Sequence, residues 1–291
     1  CVFKRGAGTL AFAPGAGDTM TLSCCDGYVD GNHNVLNPGV GDISPLDWAS
    51  PTGGGYNGFN VAEGTVVFTG GAGAKIDVKH ISSVGIKASG MVAAPVLVVD
   101  GVAANLSSEG QVNLGSNVNS DSLGAYARLV ITNGARVVSK SMRSGVGMGS
   151  TCFPTVVVER ATWSVSSYVL PYGSGNNSNA AFIMRDGGAI YIGTGAQNVN
   201  LRLENYGGHA HKILIDGEGS ALAYNPALDG LQIFASGCSL KVSGGGVLST
   251  WRMYEKETNP SCFLDIAFDG GTWMTAPGKW QPLKFWYADR V

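Results

Sequence analysis

Short runs of strand-forming residues recur along the chain, each followed by a polar turn and then by more strand. They start at Val66 (VVFTGGAGAKI), Leu97 (LVVDGVAANL), Leu129 (LVITNGARVV), Val156 (VVVERATWSV), Phe182 (FIMRDGGAIYI), Ile213 (ILIDGEGSAL), Leu240 (LKVSGGGVLS) and Ile266 (IAFDGGTWMT). The steps between them are 31, 32, 27, 26, 31, 27 and 26 residues, a period of roughly 28. The first and third positions are apolar in all eight copies, from Val66 and Phe68 through Ile131, Val158 and Met184 to Ile266 and Phe268. Alternate residues of a strand share a face, so these sixteen side chains are predicted to point inward together. The turn carries glycine in seven of eight copies, the exception being ERAT at Glu159–Thr162. Glycine supplies the positive φ that a sharp corner needs. A weaker strand pattern ends in Gly-Ser at Asn113 (NLGSN), Gly147 (GMGST) and Pro171 (PYGSG). No stretch keeps a capped 3.6-residue apolar period, so almost no helix is predicted.

A unit of this length holds two or three strands and cannot bury its own apolar face, but stacked on copies of itself it can. The predicted fold is therefore all-β: a parallel β-helix, or β-solenoid, of about 8–10 coils. At a strand spacing of about 4.8 Å that makes a rod of about 40–50 Å. A β-sandwich is the rival, and the near-equal steps argue against it. The expected organisation is N-terminal coils with an irregular insertion over 1–65, a regular solenoid over 66–275, and a C-terminal aromatic cap or connection to a following segment over 276–291.

The first seventy residues carry a more specific pattern. KRGAGTLAF (Lys4 to Phe12) fits the K-x-G-x-G-T-L opening of the autotransporter-associated β-strand repeat. YNGFNVAEGTVVF resembles that repeat's later half through Tyr56, Gly58, Val61, Gly64, Thr65 and Val66. The family joins these halves by a few residues, whereas here a long stretch including CCDGYVDGNHN intervenes. Leu10 and Val66 lie 56 residues apart, two periods, which suggests a loop or one additional irregular coil between them. Later rungs such as NLGSN…LVITNGARVV are similar in style to autotransporter passenger repeats. The resemblance implies a right-handed parallel β-helix in a secreted or surface-displayed bacterial protein. Members of the family act mostly as stalks, adhesins or display scaffolds, and some carry grafted enzymes. A chain opening at Cys1 with no leader is expected to be a mature or excised piece of a longer one, anchored, if at all, by segments outside it.

Composition agrees with strands and turns. Glycine is 44 of 291 residues and charged residues are 14%, against about 25% in an average globular chain. The formal net charge of -2 gives no electrostatic case for nucleic acid. The longest apolar run, Met91 to Val99, contains Pro95 and is far short of the roughly twenty residues of a membrane helix. Six cysteines (Cys1, Cys24, Cys25, Cys152, Cys238, Cys262) include no CxxC pair and none has a zinc-like His spacing. They read as buried thiols together with one or two disulfides, whose pairing the sequence leaves open.

Stacking turns sequence spacing into columns. The fourth position reads Thr69, Asp100, Thr132, Glu159, Arg185, Asp216, Ser243 and Asp269. Glu159 and Asp216, two coils apart, would sit roughly 10 Å from each other, near the upper end for inverting glycoside hydrolysis. Arg185 lies between them, so the column reads as a self-neutralising charge ladder, with a polysaccharide lyase or hydrolase as the alternative. No catalytic, cofactor or metal site is assigned. His209 and His211 alternate and could share a strand face, but no third ligand is near and they read as surface histidines. Asp26, Asp30, Asn32 and Asn34 offer oxygens without EF-hand spacing, and the GGxGxD calcium repeat fails at Lys75. The second position runs Val67, Val98, Val130, Val157, Ile183, Leu214, then Lys241 and Ala267, an outward ladder that other protein chains could contact. Trp273, Trp280, Phe285, Trp286 and Tyr287 could stack on glycans or cap the open end of the solenoid. The reading is a structural or adhesive scaffold at a bacterial surface or outside the cell, not an enzyme.

Overall fold

The computed structural model describes residues 2–4, 6–22, 59–78, 81–86, 91–101, 105–116, 123–146, 151–170, 177–193, 200–203, 211–224, 232–235, 238–250, 252–255 and 264–274. The chain is a β-solenoid of parallel strands, with a single 3-10 turn at Leu123–Tyr126 among the described residues. One sheet of nine parallel strands runs from Thr9–Phe12 through Thr65–Phe68, Val96–Asp100, Arg128–Thr132, Thr155–Glu159, Ala181–Arg185, Lys212–Asp216 and Cys238–Ser243 to Leu264–Asp269. These nine strands hold the repeat found in the sequence and form the first face. The second face follows each corner, from Thr19–Leu22 to Thr272–Met274, and the third runs from Val2–Lys4 to Arg252–Glu255. Long strands such as Arg136–Val146 bend from the second face into the third, with a register shift between Ser139 and Ser141.

The stacking column is continuous. Ile131 pairs in register with Val158, and Val158 with Met184, and all three are fully buried. Of the sixteen first- and third-position side chains, those from Val66 to Val242 are buried, at 3% exposure or less. Ile266 is only half-buried and Phe268 is 42% exposed, because no described strand covers the last rung. The second face adds Ile76, Val137, Trp163, Ile190 and Leu248 to the same core, and the third adds Phe59, Leu114, Met142 and Leu201. Burying one such side chain is worth about 1.5–3 kcal/mol, and each needs a neighbouring rung above and below to be buried at all. Trp163 is the largest fully buried side chain, and its indole N–H donates to Ser139 Oγ at 3.0 Å. The pairing lets a polar residue occupy an inner column without an unmet hydrogen bond.

Corners after the first face share one conformation. The fifth position of the repeat has positive φ in seven of eight copies: Gly101, Asn133, Arg160, Asp186, Gly217, Gly244 and Gly270. Asparagine and aspartate tolerate this region better than other non-glycine residues, and arginine does not. Arg160 belongs to the one copy that lacks glycine in its turn. The conformation aims the amide along the stack: Gly101, Gly217 and Gly244 donate to the carbonyls of Thr132, Ser243 and Asp269 on the next rung.

Of the loop and the extra coil that the sequence leaves open in the N-terminal region, the structure excludes the coil. Thr9–Phe12 pairs directly with Thr65–Phe68, Val2–Lys4 with Phe59–Val61, and Thr19–Leu22 with Lys75–Val78. No rung is interposed on any face. The residues between Leu22 and Phe59 therefore add no rung between these strands, and the 56-residue spacing of Leu10 and Val66 is a single step of the stack. Tyr56, Gly58 and the CCDGYVDGNHN segment with Asp26, Asp30, Asn32 and Asn34 lie outside the described residues.

Candidate functional site: the corner ladder

The polar groups with the densest connections sit where the first face meets its corners. Glu159 ends its strand on the outward side, in register with Arg185, which is in turn in register with Asp216. Glu159 Oε2 accepts from Arg185 Nε at 2.9 Å and from its Nη2 at 2.7 Å. Its Oε1 lies 2.7 Å from Arg160 Nη2. The Arg185 hydrogen bond, above all, holds the Glu159 carboxyl below its ordinary range. The positive charges of Arg185 and Arg160 act the same way, against the opposing pull of desolvation. Arg160 Nη2 also donates to Asn133 Oδ1 at 2.9 Å, and Asn133 Nδ2 to Asp100 Oδ1 at 2.7 Å. A chain of contacts therefore runs from Asp100 through Asn133, Arg160 and Glu159 to Arg185, across four rungs.

Asp216 keeps separate company. Its Oδ1 accepts from Ser243 Oγ at 2.7 Å, and its main-chain carbonyl accepts from Ser220 Oγ at 2.6 Å. Ser220 Oγ accepts in turn from Gly187 N at 3.0 Å. Farther along, Lys241 Nζ faces Asp269 at 3.7 Å. Glu159 and Asp216 thus stand on either side of Arg185, as the spacing predicts, and Arg185 is committed to Glu159. A general acid needs a raised pKa, and Glu159 is shifted the other way.

Lys4 and Glu63 form a second buried polar cluster outside this ladder. Glu63 is 3% exposed, and its Oε2 accepts from Gly6 N at 3.0 Å. Its Oε1 accepts from Val92 N at 2.6 Å and Ala93 N at 3.2 Å. Lys4 Nζ donates to the carbonyl oxygens of Gly6 and Glu63. Gly64 sits inside this wrap at positive φ, where a Cβ would run into the carbonyl oxygen of Gly6. The Lys-x-Gly-x-Gly and Glu-Gly-Thr segments of the sequence are therefore two halves of one interlock between the first and second rungs. Sequence reasoning marked the segments and missed Glu63, whose only signal was its place beside Gly64.

The histidine reading needs correction. His211 is fully buried rather than on the surface, and its Nδ1 accepts from Ala180 N at 3.1 Å. The ring fills the turn just before Lys212–Asp216 and satisfies a backbone amide there, while His209 lies outside the described residues. Cys152 and Cys238 are buried, and the other four cysteines lie outside the described residues. Among the described residues no group of three or more His, Cys, Asp and Glu is placed to hold a metal ion.

The outward ladder is in register from Val67 through Val98, Val130, Val157, Ile183 and Leu214 to Lys241. Val157 is buried and the other five apolar members are half-buried, so stacking shields much of the stripe. Among the C-terminal aromatics, Trp273 packs against the last core layer and its Nε1 donates to the Thr250 carbonyl at 3.1 Å. Trp280, Phe285, Trp286 and Tyr287 lie outside the described residues.

Comparison with family models, curated proteins and solved structures finds no match to this chain.

Proposed function

We propose that this chain is a stiff spacer and display scaffold of a bacterial secreted or surface protein, of the autotransporter passenger kind. The observation that carries the reading is the unbroken register of the first face, nine strands long without a shift. Such a stack resists bending because each rung is bonded to two others, and it presents corners and insertions at fixed intervals. The Lys4–Gly64 interlock supports the family resemblance, since it gives a structural reason for the motif residues. Adhesion, to glycans or to other protein chains, falls to the outward stripe and the loops.

Antibody raised against the chain should label intact producing cells or their culture medium. Signal obtained only after lysis sinks the surface reading. The runner-up is a carbohydrate-active enzyme on the same scaffold, with Glu159 and Asp216 as its carboxylates. Incubation with a panel of acidic and neutral polysaccharides should release no new reducing ends. Release that is abolished equally by Glu159→Gln and Asp216→Asn in folded protein would replace the scaffold with the enzyme.

A further inference from the structure

Asn-Gly occurs twice in the chain, at Asn57–Gly58 and Asn133–Gly134, and the second pair lies among the described residues. It forms the corner after Arg128–Thr132, with Asn133 at φ 55° and Gly134 at φ 84°. Two consecutive residues at positive φ recur at Asp186–Gly187 and Gly244–Gly245, so the backbone of this corner calls for glycine at the second place. Asparagine followed by glycine is also the pair most prone to cyclise on itself, because no side chain shields the glycine nitrogen. In that reaction Gly134 N bonds to Asn133 Cγ, the Cγ–Nδ2 bond breaks, and Nδ2 leaves as ammonia with the hydrogen that Gly134 N gives up. Water then opens the cyclic imide to aspartate or to isoaspartate. Asp186–Gly187 and Asp216–Gly217 share the spacing but present a carboxylate, a poor target for the same attack.

Both reacting groups of the Asn133 corner are tied down, and Arg160 holds each of them. Its main-chain carbonyl takes the Gly134 N–H at 2.5 Å, and its Nη2 donates to Asn133 Oδ1 at 2.9 Å. From the other side Asp100 Oδ1 accepts from Asn133 Nδ2 at 2.7 Å. Asp100 belongs to the rung before and Arg160 to the rung after, so the exposed amide group is stretched between two rungs. The Glu159 carboxylate, 2.7 Å from Arg160 Nη2, fixes the guanidinium in turn.

We propose that Asn133–Gly134 is a deamidation site of this chain and that Arg160 is the positioning residue that keeps it closed. Ring closure has to strip the hydrogen from Gly134 N, which breaks its bond to the Arg160 carbonyl, and has to free Nδ2 from Asp100. A donor on Oδ1 acting alone would help the oxygen carry charge in the tetrahedral stage. Paired with Asp100 on the opposite rung, it fixes the side-chain torsion instead. This gives a reason for arginine at a corner position where glycine fits the backbone better. Once the site opens, aspartate at 133 sets a second carboxylate against Asp100 and removes the donor that joined them. The proposal stands on this corner alone and does not depend on surface display.

The test incubates the full chain, folded and in urea, in mildly alkaline buffer and follows Asn133 by peptide mapping and by enzymatic methylation of isoaspartate. Asn133 is expected to persist in folded wild type and to convert in the unfolded chain. Arg160→Gly should speed conversion in the folded state by about tenfold or more while melting at or above the wild-type temperature, a split that a purely structural role would not produce. Asp100→Ala, which releases the amide from the other side, should speed it as well. Asn57–Gly58 serves as the internal reference and should convert at one rate in all three folded proteins. Conversion of Asn133 as fast in folded wild type as in urea overturns the proposal. So does an Arg160→Gly variant that converts no faster than wild type, whatever Asp100→Ala does, because Arg160 then guards nothing or assists the attack.

Discussion

Glu63 and Val92 are joined by a 2.6 Å hydrogen bond from the Val92 amide to the Glu63 carboxylate, while the other carboxylate oxygen takes the Gly6 amide. One buried side chain therefore ties three successive rungs at the N-terminal end.

Replacing Glu63 with alanine leaves the amides of Gly6, Val92 and Ala93 without this acceptor. A buried unsatisfied donor costs about 1–3 kcal/mol, but these bonds are part-buried and Val92 is 74% exposed, so water takes over some of them and Glu63→Ala is expected to lower stability by about 1–2 kcal/mol. The loss should be local, because a solenoid opens rung by rung. Hydrogen exchange should accelerate across Thr9–Phe12 and Thr65–Phe68 and remain slow at Thr155–Glu159. Uniform acceleration along the stack counts against this picture.

Arg160 occupies the left-handed region at φ 47°, which costs a residue of its type about 1 kcal/mol or more. Its exposed pairing with Glu159 is worth about 0–1 kcal/mol, and Arg185 holds Glu159 in any case. Arg160→Gly is therefore expected to melt at or above the wild-type temperature, and Arg160→Val below it. A glycine variant less stable by more than about 1 kcal/mol contradicts the strain assignment.

The Glu159 carboxyl is held below its ordinary value of 4.5 in the folded chain. A depressed carboxylate stabilises the fold fully at pH above the unfolded value and loses that contribution as pH falls through the folded one. The stability difference between wild type and Arg185→Gln should therefore be constant above about pH 5 and shrink below about pH 4.5. Denaturant titrations at a series of pH values measure it directly. A difference that grows on acidification assigns the pair the wrong sign.

Trp163 is fully buried and bonded to Ser139. Trp163→Ala should cost about 3–5 kcal/mol through the cavity it leaves. Trp163→Phe should cost less, and adding Ser139→Ala to it should restore part of the loss, since the orphaned hydroxyl then disappears. A double-mutant cycle with no coupling between positions 139 and 163 removes the hydrogen bond from the account.

The fold was legible because a parallel stack repeats its demands. Every rung needs apolar residues at the first and third positions, and Ile131, Val158 and Met184 supply them in register. The fifth-position corner was legible only in part. Glycine signalled most copies, but Arg160 shows that a neighbouring ion pair can hold a poor residue in the same conformation. The sequence left a loop and an extra coil both open there, because counting residues cannot tell one from the other, and only the direct pairing of Leu10 with Val66 separates them. His211 was read as a surface residue because no third ligand is near it in the sequence, and its environment is set by Ala180 on another rung. Glu63 shows the same limit, since a charged residue beside a glycine carries no local sign that three distant amides converge on it.

The corner between Leu22 and Phe59 has a practical reach beyond this chain. The strands on either side pair as if nothing lay between them. A stack whose rungs pair directly across so long a stretch does not need that stretch for its register. That independence would let an engineer replace the stretch with a foreign segment while the pairing of the flanking strands carries the stack.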